Sequence, residues 1–240
     1  MLWVLCSLLR SIMMRIPSVH PAFFLFAATL TVAPGIAAAQ TSVSASVYGA
    51  FSGTTTGNGI EQSPANQAGG IFEFRHISNP IVGLEATYSF NRANQSYTPY
   101  QEATCGLPCS PELENVQVPA NAHEITGDWT PSIHIANVRP FAVLGAGVLL
   151  NVPSGNETTT YSCGTSCLPV TMPPGSPTKT TTTAVYVYGA GLDWGLLPHI
   201  GLRLQYRGNL YKAPDLTSLF TSTGAFTHTA EPMVGIYFRL

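Results

Sequence analysis

The chain has 240 residues; 9% are charged, 45% are hydrophobic, and the formal net charge is −2. An average soluble domain is about 25% charged, so this composition argues against an ordinary water-facing surface. With no basic footprint it also argues against nucleic acid as a partner.

Residues 1–39 read as a secretory signal peptide. No uninterrupted apolar run reaches the roughly 18–20 residues that a membrane helix requires. The longest, Pro21 to Ala33, follows Arg10 and Arg15 and precedes Ala37-Ala38-Ala39, a small-x-small cleavage site. Cleavage there makes Gln40 the first mature residue. The apolar stretch before Arg10 is foreign to such a leader, so Met13 or Met14 is an alternative start. Removing residues 1–39 from 240 leaves 201, a barrel domain spanning 40–240, with four of the five cysteines.

The mature segment alternates with the two-residue period of strands. Ser42 to Phe51 sets Val43, Ala45 and Val47 against Ser44, Ser46 and Tyr48. After a Gly/Thr/Asn-rich loop, Gly53 to Ala68, comes GGIFEFRHISNPIVGLEATYSFNR, Gly69 to Arg92. Phe72 and Phe74 oppose Glu73 and Arg75. Past the Ser78-Asn79-Pro80 turn, Leu84, Ala86, Tyr88 and Phe90 oppose Glu85, Thr87 and Ser89. Asn-Pro cannot continue a ladder, so these are two antiparallel strands joined by a tight turn.

A long polar loop, Asn91 to Asn121, precedes AHEITGDWT, with Ile125 and Trp129 opposite Glu124 and Asp128. A connection through Pro131 leads to Val138–Leu150, too evenly apolar for faces to be assigned, although Gly145 and Gly147 suit an inward, crowded position. The loop Asn151 to Thr182 follows. In AVYVYGAGLDW, Tyr186, Tyr188, Leu192 and Trp194 oppose Gly189, Gly191 and Asp193. A turn at Pro198 leads to GLRLQYRGNLY, where Leu202, Leu204 and Tyr206 oppose Arg203, Gln205 and Arg207. A loop from Pro214 to Thr227 precedes the last strand, MVGIYFRL.

Eight strands of about ten residues suit a small membrane barrel. The connections alternate long and short throughout, a parity without purpose in a soluble sandwich. A start in the periplasm puts every long loop outside, and only closure leaves no unpaired edge in hydrocarbon. The expected fold is an all-β, eight-stranded antiparallel up-and-down barrel, with aromatics towards lipid and charges in the lumen.

That lumen set comprises Glu73, Arg75, Glu85, Glu124, Asp128, Asp193, Arg203 and Arg207, with Arg239 as a further candidate. Eight strands enclose just enough room to be filled by side chains, so a charged plug is expected ahead of a narrow pore. Cys105, Cys109, Cys163 and Cys167 lie in two loops and read as disulfides, since an exported chain meets an oxidising compartment. Pairing within each loop and pairing between loops both remain open. A four-thiolate metal site is the rival reading. His123, His134, His199 and His228 lack ligand spacing, and no metal or cofactor is expected. Asn94-Gln95-Ser96 and Asn156-Glu157-Thr158 match the glycosylation acceptor pattern, read here as chance matches.

GGIFEFR, GLEATYSF, RPFAVLGAGV, YGAGLDW and the alternating terminal strand, in this order, resemble the OmpA/OmpX-type family of eight-stranded outer-membrane β-barrel proteins. The resemblance spans essentially the whole mature chain. It implies a monomer in outer-membrane lipid, both termini in the periplasm, and assembly through the last strand. Family members end on an aromatic residue, whereas this chain ends on Leu240. The expected role is structural, or a surface interaction with an extracellular partner through the loops, and not enzymatic. One motif points elsewhere. His76-Ile77-Ser78-Asn79 is similar to the His-x-Ser-Asn motif of PagL-type lipid A deacylases, and with Glu85 a Ser/His/acid triad could be drawn. Its position in a turn on the periplasmic side favours a structural reading.

Overall fold

A computed structural model describes residues 40–100, 112–162, 170–172 and 178–240, which contain fourteen strands and no helix. In chain order they are β1 (Gln40–Ser52), β2 (Thr55–Gly57), β3 (Ile60–Pro64), β4 (Gln67–Ile77) and β5 (Gly83–Arg92). There follow β6 (Gln95–Pro99), β7 (Glu112–Val118), β8 (Ala120–Trp129), β9 (Val138–Pro153) and β10 (Thr158–Ser162). The last four are β11 (Val170–Met172), β12 (Thr181–Gly195), β13 (Ile200–Lys212) and β14 (Phe226–Arg239). The four cysteines and the leader, residues 1–39, lie outside the described residues.

Eight of these strands form a closed antiparallel barrel in the order β1-β14-β13-β12-β9-β8-β5-β4. Alternation decides which side faces in. Phe72 is 63% exposed and Leu84 61%, while Arg75 is 1% exposed and Arg203 and Arg207 are fully buried. The barrel is therefore polar inside and apolar outside. The β9 strand follows the same rule: Phe141, Val143 and Leu149 are buried, while Leu144 and Val148 are exposed. Gly145 and Gly147 share the inward parity of Phe141. A Cβ on Gly145 would collide with the Asp128 carboxylate of the neighbouring strand.

The short connections close one end of the barrel, the turn end. Ser78 N–H donates to Val82 O (2.9 Å), and Asn79 Oδ1 accepts the N–H groups of Ile81 (3.0 Å) and Val82 (2.8 Å). This local bonding is what Ser and Asn supply in a tight turn. Leu196 and Leu197 N–H both donate to Ile200 O, closing the turn between β12 and β13.

At the other end, the loop end, the structure departs from the sequence reading. Three segments expected to be irregular polar loops contain the hairpins β2/β3, β6/β7 and β10/β11. These join into a second, six-stranded sheet in the order β11-β10-β7-β6-β3-β2. Their strands run only three to seven residues. A window that short, in Thr- and Ser-rich sequence, carries little hydrophobic period, so the pattern was not visible. The last barrel strand also begins earlier than the sequence suggested, at Phe226. Pro232 lies within this strand. It has no N–H to give, and the β14 ladder with β1 breaks beside it, between Met233 and Ala230, while pairing with β13 continues through Tyr206.

Candidate functional site

Two arrangements of polar side chains stand out, one in the lumen and one at the loop end. In the lumen, Arg75 projects from β4, Arg203 and Arg207 from β13, and the carboxylates from β4, β5, β8, β12 and β14. They are inward because each alternates with an outward apolar residue, the parity that a closed sheet imposes.

Nearer the turn end, Arg203 donates from Nε to Asp193 Oδ1 at 2.7 Å, and from Nη1 to both Glu73 (2.7 Å) and Ser44 Oγ (2.8 Å). Arg75 Nε donates to Glu85 Oε2 at 2.6 Å, and its terminal nitrogen reaches Asp193 at 3.2 Å. The guanidinium of Arg75 lies 3.9 Å from the Phe141 ring centroid, with Arg203 at 5.3 Å from the same ring. Such stacking suits the weakly hydrated, planar guanidinium. Phe141 has room to lie there because its ring passes over Gly191, where a Cβ would collide with it.

Four residues further towards the loop end, Arg207 pairs with Glu124 at 3.0 Å and with Asp128 at 3.5 Å. Asn209 donates to the other Glu124 oxygen (2.9 Å), and Thr87 and Thr126 donate to Asp128. A void of about 30 Å³ lies beyond, lined by Glu124, Asn151, Asn209, Tyr211, Thr229 and Glu231 among others. It has room for a water or two.

All eight lumen residues named from the sequence are buried, and these bonds join them into two layers. Arg239 is half-buried at the turn end, donating to the Tyr237 hydroxyl at 3.0 Å. Sequence reasoning missed Glu231 and Phe141. Glu231 lies just before MVGIYFRL, the part of the last strand that the sequence reading quoted. Phe141 could have been reached by carrying the inward parity of Gly145 back four residues. Glu231 makes no ion-pair contact among the described residues.

The suggested triad is not assembled. His76 points outward, its Nδ1 2.9 Å from Thr41 Oγ1; Ser78 lies in the turn; Glu85 is inside, bonded to Arg75.

At the loop end, the connection between β13 and β14, residues 213–225, packs into the six-stranded sheet. Leu216 is fully buried with Ile60, Tyr97, Val116, Val118 and Ala120. Pro214 O accepts from Gln62 Nε2 (2.8 Å) and the Tyr97 hydroxyl (3.0 Å), and Leu216 N–H donates to that same hydroxyl (3.2 Å). Burial raises the Tyr97 phenol well above its ordinary range. The connection also bonds near both margins of the sheet. Thr223 meets Thr55 at 3.0 Å and Ser222 O accepts from Asn58 beside β2, while Asp215 pairs with Lys179 at 2.6 Å, past β11.

No family model matches the chain, and no curated protein matches it. Several solved structures share its course. Ail of Yersinia pestis, solved with the heparin analogue sucrose octasulfate, is 15% identical with a TM-score of 0.45, covering 84% of this chain and 99% of its own. Neisserial surface protein A is 14% identical with a TM-score of 0.44, covering 85% and 100%. OprG of Pseudomonas aeruginosa is 9% identical with a TM-score of 0.41, covering 84% and 96%. At this identity the likeness concerns the strand arrangement and carries nothing about ligand or activity. By its own strand order the chain is a closed eight-stranded antiparallel barrel.

Proposed function

We propose that the chain is an integral barrel of the bacterial outer membrane, with its lumen closed by its own charges and its role carried by the sheet at the loop end. That role is structural or a surface interaction, not catalysis. The observation that carries this reading is the inverted burial: three arginines at 1% exposure or less inside, and exposed Phe72, Phe74, Leu84, Trp194 and Leu204 outside. In water such an exterior would be a large apolar patch demanding cover, and a closed barrel is one of the two backbone arrangements hydrocarbon accepts.

The lumen layers act as a plug in this reading. Guanidinium groups, carboxylates and the Phe141 ring fill the cross-section, and breaking any one pair would leave a buried charge unmatched. The termini lie in the periplasm, the long connections outside, and the monomer reaches the membrane through recognition of its last strand. Residues 1–39 are removed as a signal peptide, and the four loop cysteines are oxidised in pairs.

Gel mobility of boiled against unboiled protein, after extraction from outer membrane, tests the proposal. A barrel migrates as a compact species until heated. Equal mobility in both lanes, with the protein in the soluble fraction, would replace it with a secreted β-sandwich. Fatty-acid release from lipopolysaccharide that Ser78→Ala abolishes would replace the non-catalytic role with deacylation.

A further inference from the structure

The outer surface of the barrel carries its own charge asymmetry. Among the described residues, every Asp and Glu of the barrel strands faces the lumen, so the outside has no carboxylate. The outward Arg, Lys and His side chains are His76 at the turn end and Arg92, His123, Lys212 and His228 at the loop end.

Those last four form two matching stations. In the first, Phe90 pairs with His123 and Arg92 with Asn121, so Arg92 and His123 are diagonal neighbours on the outer face. The Tyr88 hydroxyl and His123 Nδ1 are 3.0 Å apart, and the Phe90 ring is 5.1 Å from the imidazole. In the second, Leu210 pairs with His228 and Lys212 with Phe226, which gives the same diagonal. Here the tyrosine comes from the strand beyond. Tyr188, on β12, reaches over Gly208 to place its hydroxyl 2.8 Å from His228 Nε2, the rings stacked at 5.9 Å. Any side chain at Gly208 would meet the Tyr188 ring. In each station the phenol fixes one ring nitrogen, and the other makes no hydrogen bond among the described residues. The strand order puts two strands between the Arg92–His123 and Lys212–His228 pairs whichever way the barrel is followed, so the pairs lie on opposite sides.

We propose that each station holds the phosphate headgroup of an anionic lipid in the leaflet at the loop end. This rests on the reading of the chain as a membrane barrel. The guanidinium of Arg92 or the ammonium of Lys212 supplies the charge, and the imidazole a second donor. The ligand is a lipid rather than free phosphate because the floor of each station is apolar. Phe90 and Tyr88 on one side, and Tyr188 and Leu210 on the other, continue directly into the exposed apolar face. A soluble anion gains nothing from that floor, whereas acyl chains lie along it.

The test is lipid selectivity. The folded full chain is reconstituted in phosphatidylcholine vesicles doped with spin-labelled phosphatidic acid or spin-labelled phosphatidylcholine, and the motionally restricted fraction of each label is measured. One cation at such an interface favours an anionic lipid by about fivefold. The expected result is preferential restriction of phosphatidic acid, falling to parity in the double variant R92Q/K212Q. Equal restriction of both labels by the wild type, or selectivity that survives in the double variant, overturns the proposal. Heat-modifiable mobility of both proteins shows that the barrels are inserted. Loss of selectivity with intact insertion therefore bears on the stations alone, while failure of the wild type to insert bears on the membrane reading.

Discussion

Individual side chains in this barrel are governed by which face they occupy. Leu204 and Gln205 are neighbours in β13, one exposed at 53% and the other buried. Leu204→Arg puts a charge against hydrocarbon and should destabilise the barrel by about 2–4 kcal/mol. Gln205→Arg should cost much less, since the lumen already holds acids such as Asp193 and Glu124 for it to meet. Denaturant titration of both variants refolded into vesicles checks the order, and a larger loss for Gln205→Arg would reverse the facing of β13. Arg207 presents the complementary case. Arg207→Met strands Glu124 and Asp128 inside the barrel, and removing one partner of a buried pair costs about 3–5 kcal/mol. The same titration should show that loss, and Glu124→Gln added to Arg207→Met should recover part of it, because one stranded charge is gone.

Elements at the loop end depend on contacts remote in sequence. The six-stranded sheet has short strands, and a sheet of that kind needs a packed face to persist. Leu216 supplies it from the connection between β13 and β14. Leu216→Ala should cost about 2–5 kcal/mol of local stability. Hydrogen exchange should accelerate in β3, β6 and β7 while the barrel strands keep their protection. Accelerated exchange of β13 and β14 to the same degree would mean that the sheet and barrel open as one unit. Tyr97 adds a pH dependence to this element. Its phenol, raised by burial, holds its proton more tightly folded than unfolded. Its contribution is therefore whole below about pH 10, the ordinary phenol value, and is lost as pH climbs above that. Near-ultraviolet titration should show the buried phenols lagging the exposed ones, and Tyr97→Phe should reduce that lagging group by one.

For the whole molecule, the two lumen layers and the packed loop-end connection lie in series. Under the proposed reading, planar bilayers containing the protein should carry no steady single-channel current. Steady currents altered by Arg203→Ala or Glu124→Ala would make it a narrow pore. Export leaves its own signature. Protein from outer membrane should begin at Gln40, and its four cysteines should resist alkylation until reduced.

The sequence by itself determined the strand period, the number of barrel strands and the opposition of Phe72 and Phe74 to Glu73 and Arg75. A period of two reports faces directly, and so few charges leave little choice about which face meets water. It was silent on three things that only the tertiary structure decided. Arg75 with Glu85 and Arg203 with Asp193 are opposite one another within their hairpins, but the meeting of Arg203 with Glu73 and of Arg75 with Asp193 depends on the stagger of the closed sheet and has no signature in one hairpin. Phe141 entered the lumen through space left by Gly191, on another strand. The second sheet arose because hairpins from three separate connections pair edge to edge around Leu216. Each of its strands is too short to announce itself, and pairing between segments far apart in sequence is settled only when the barrel brings their ends together.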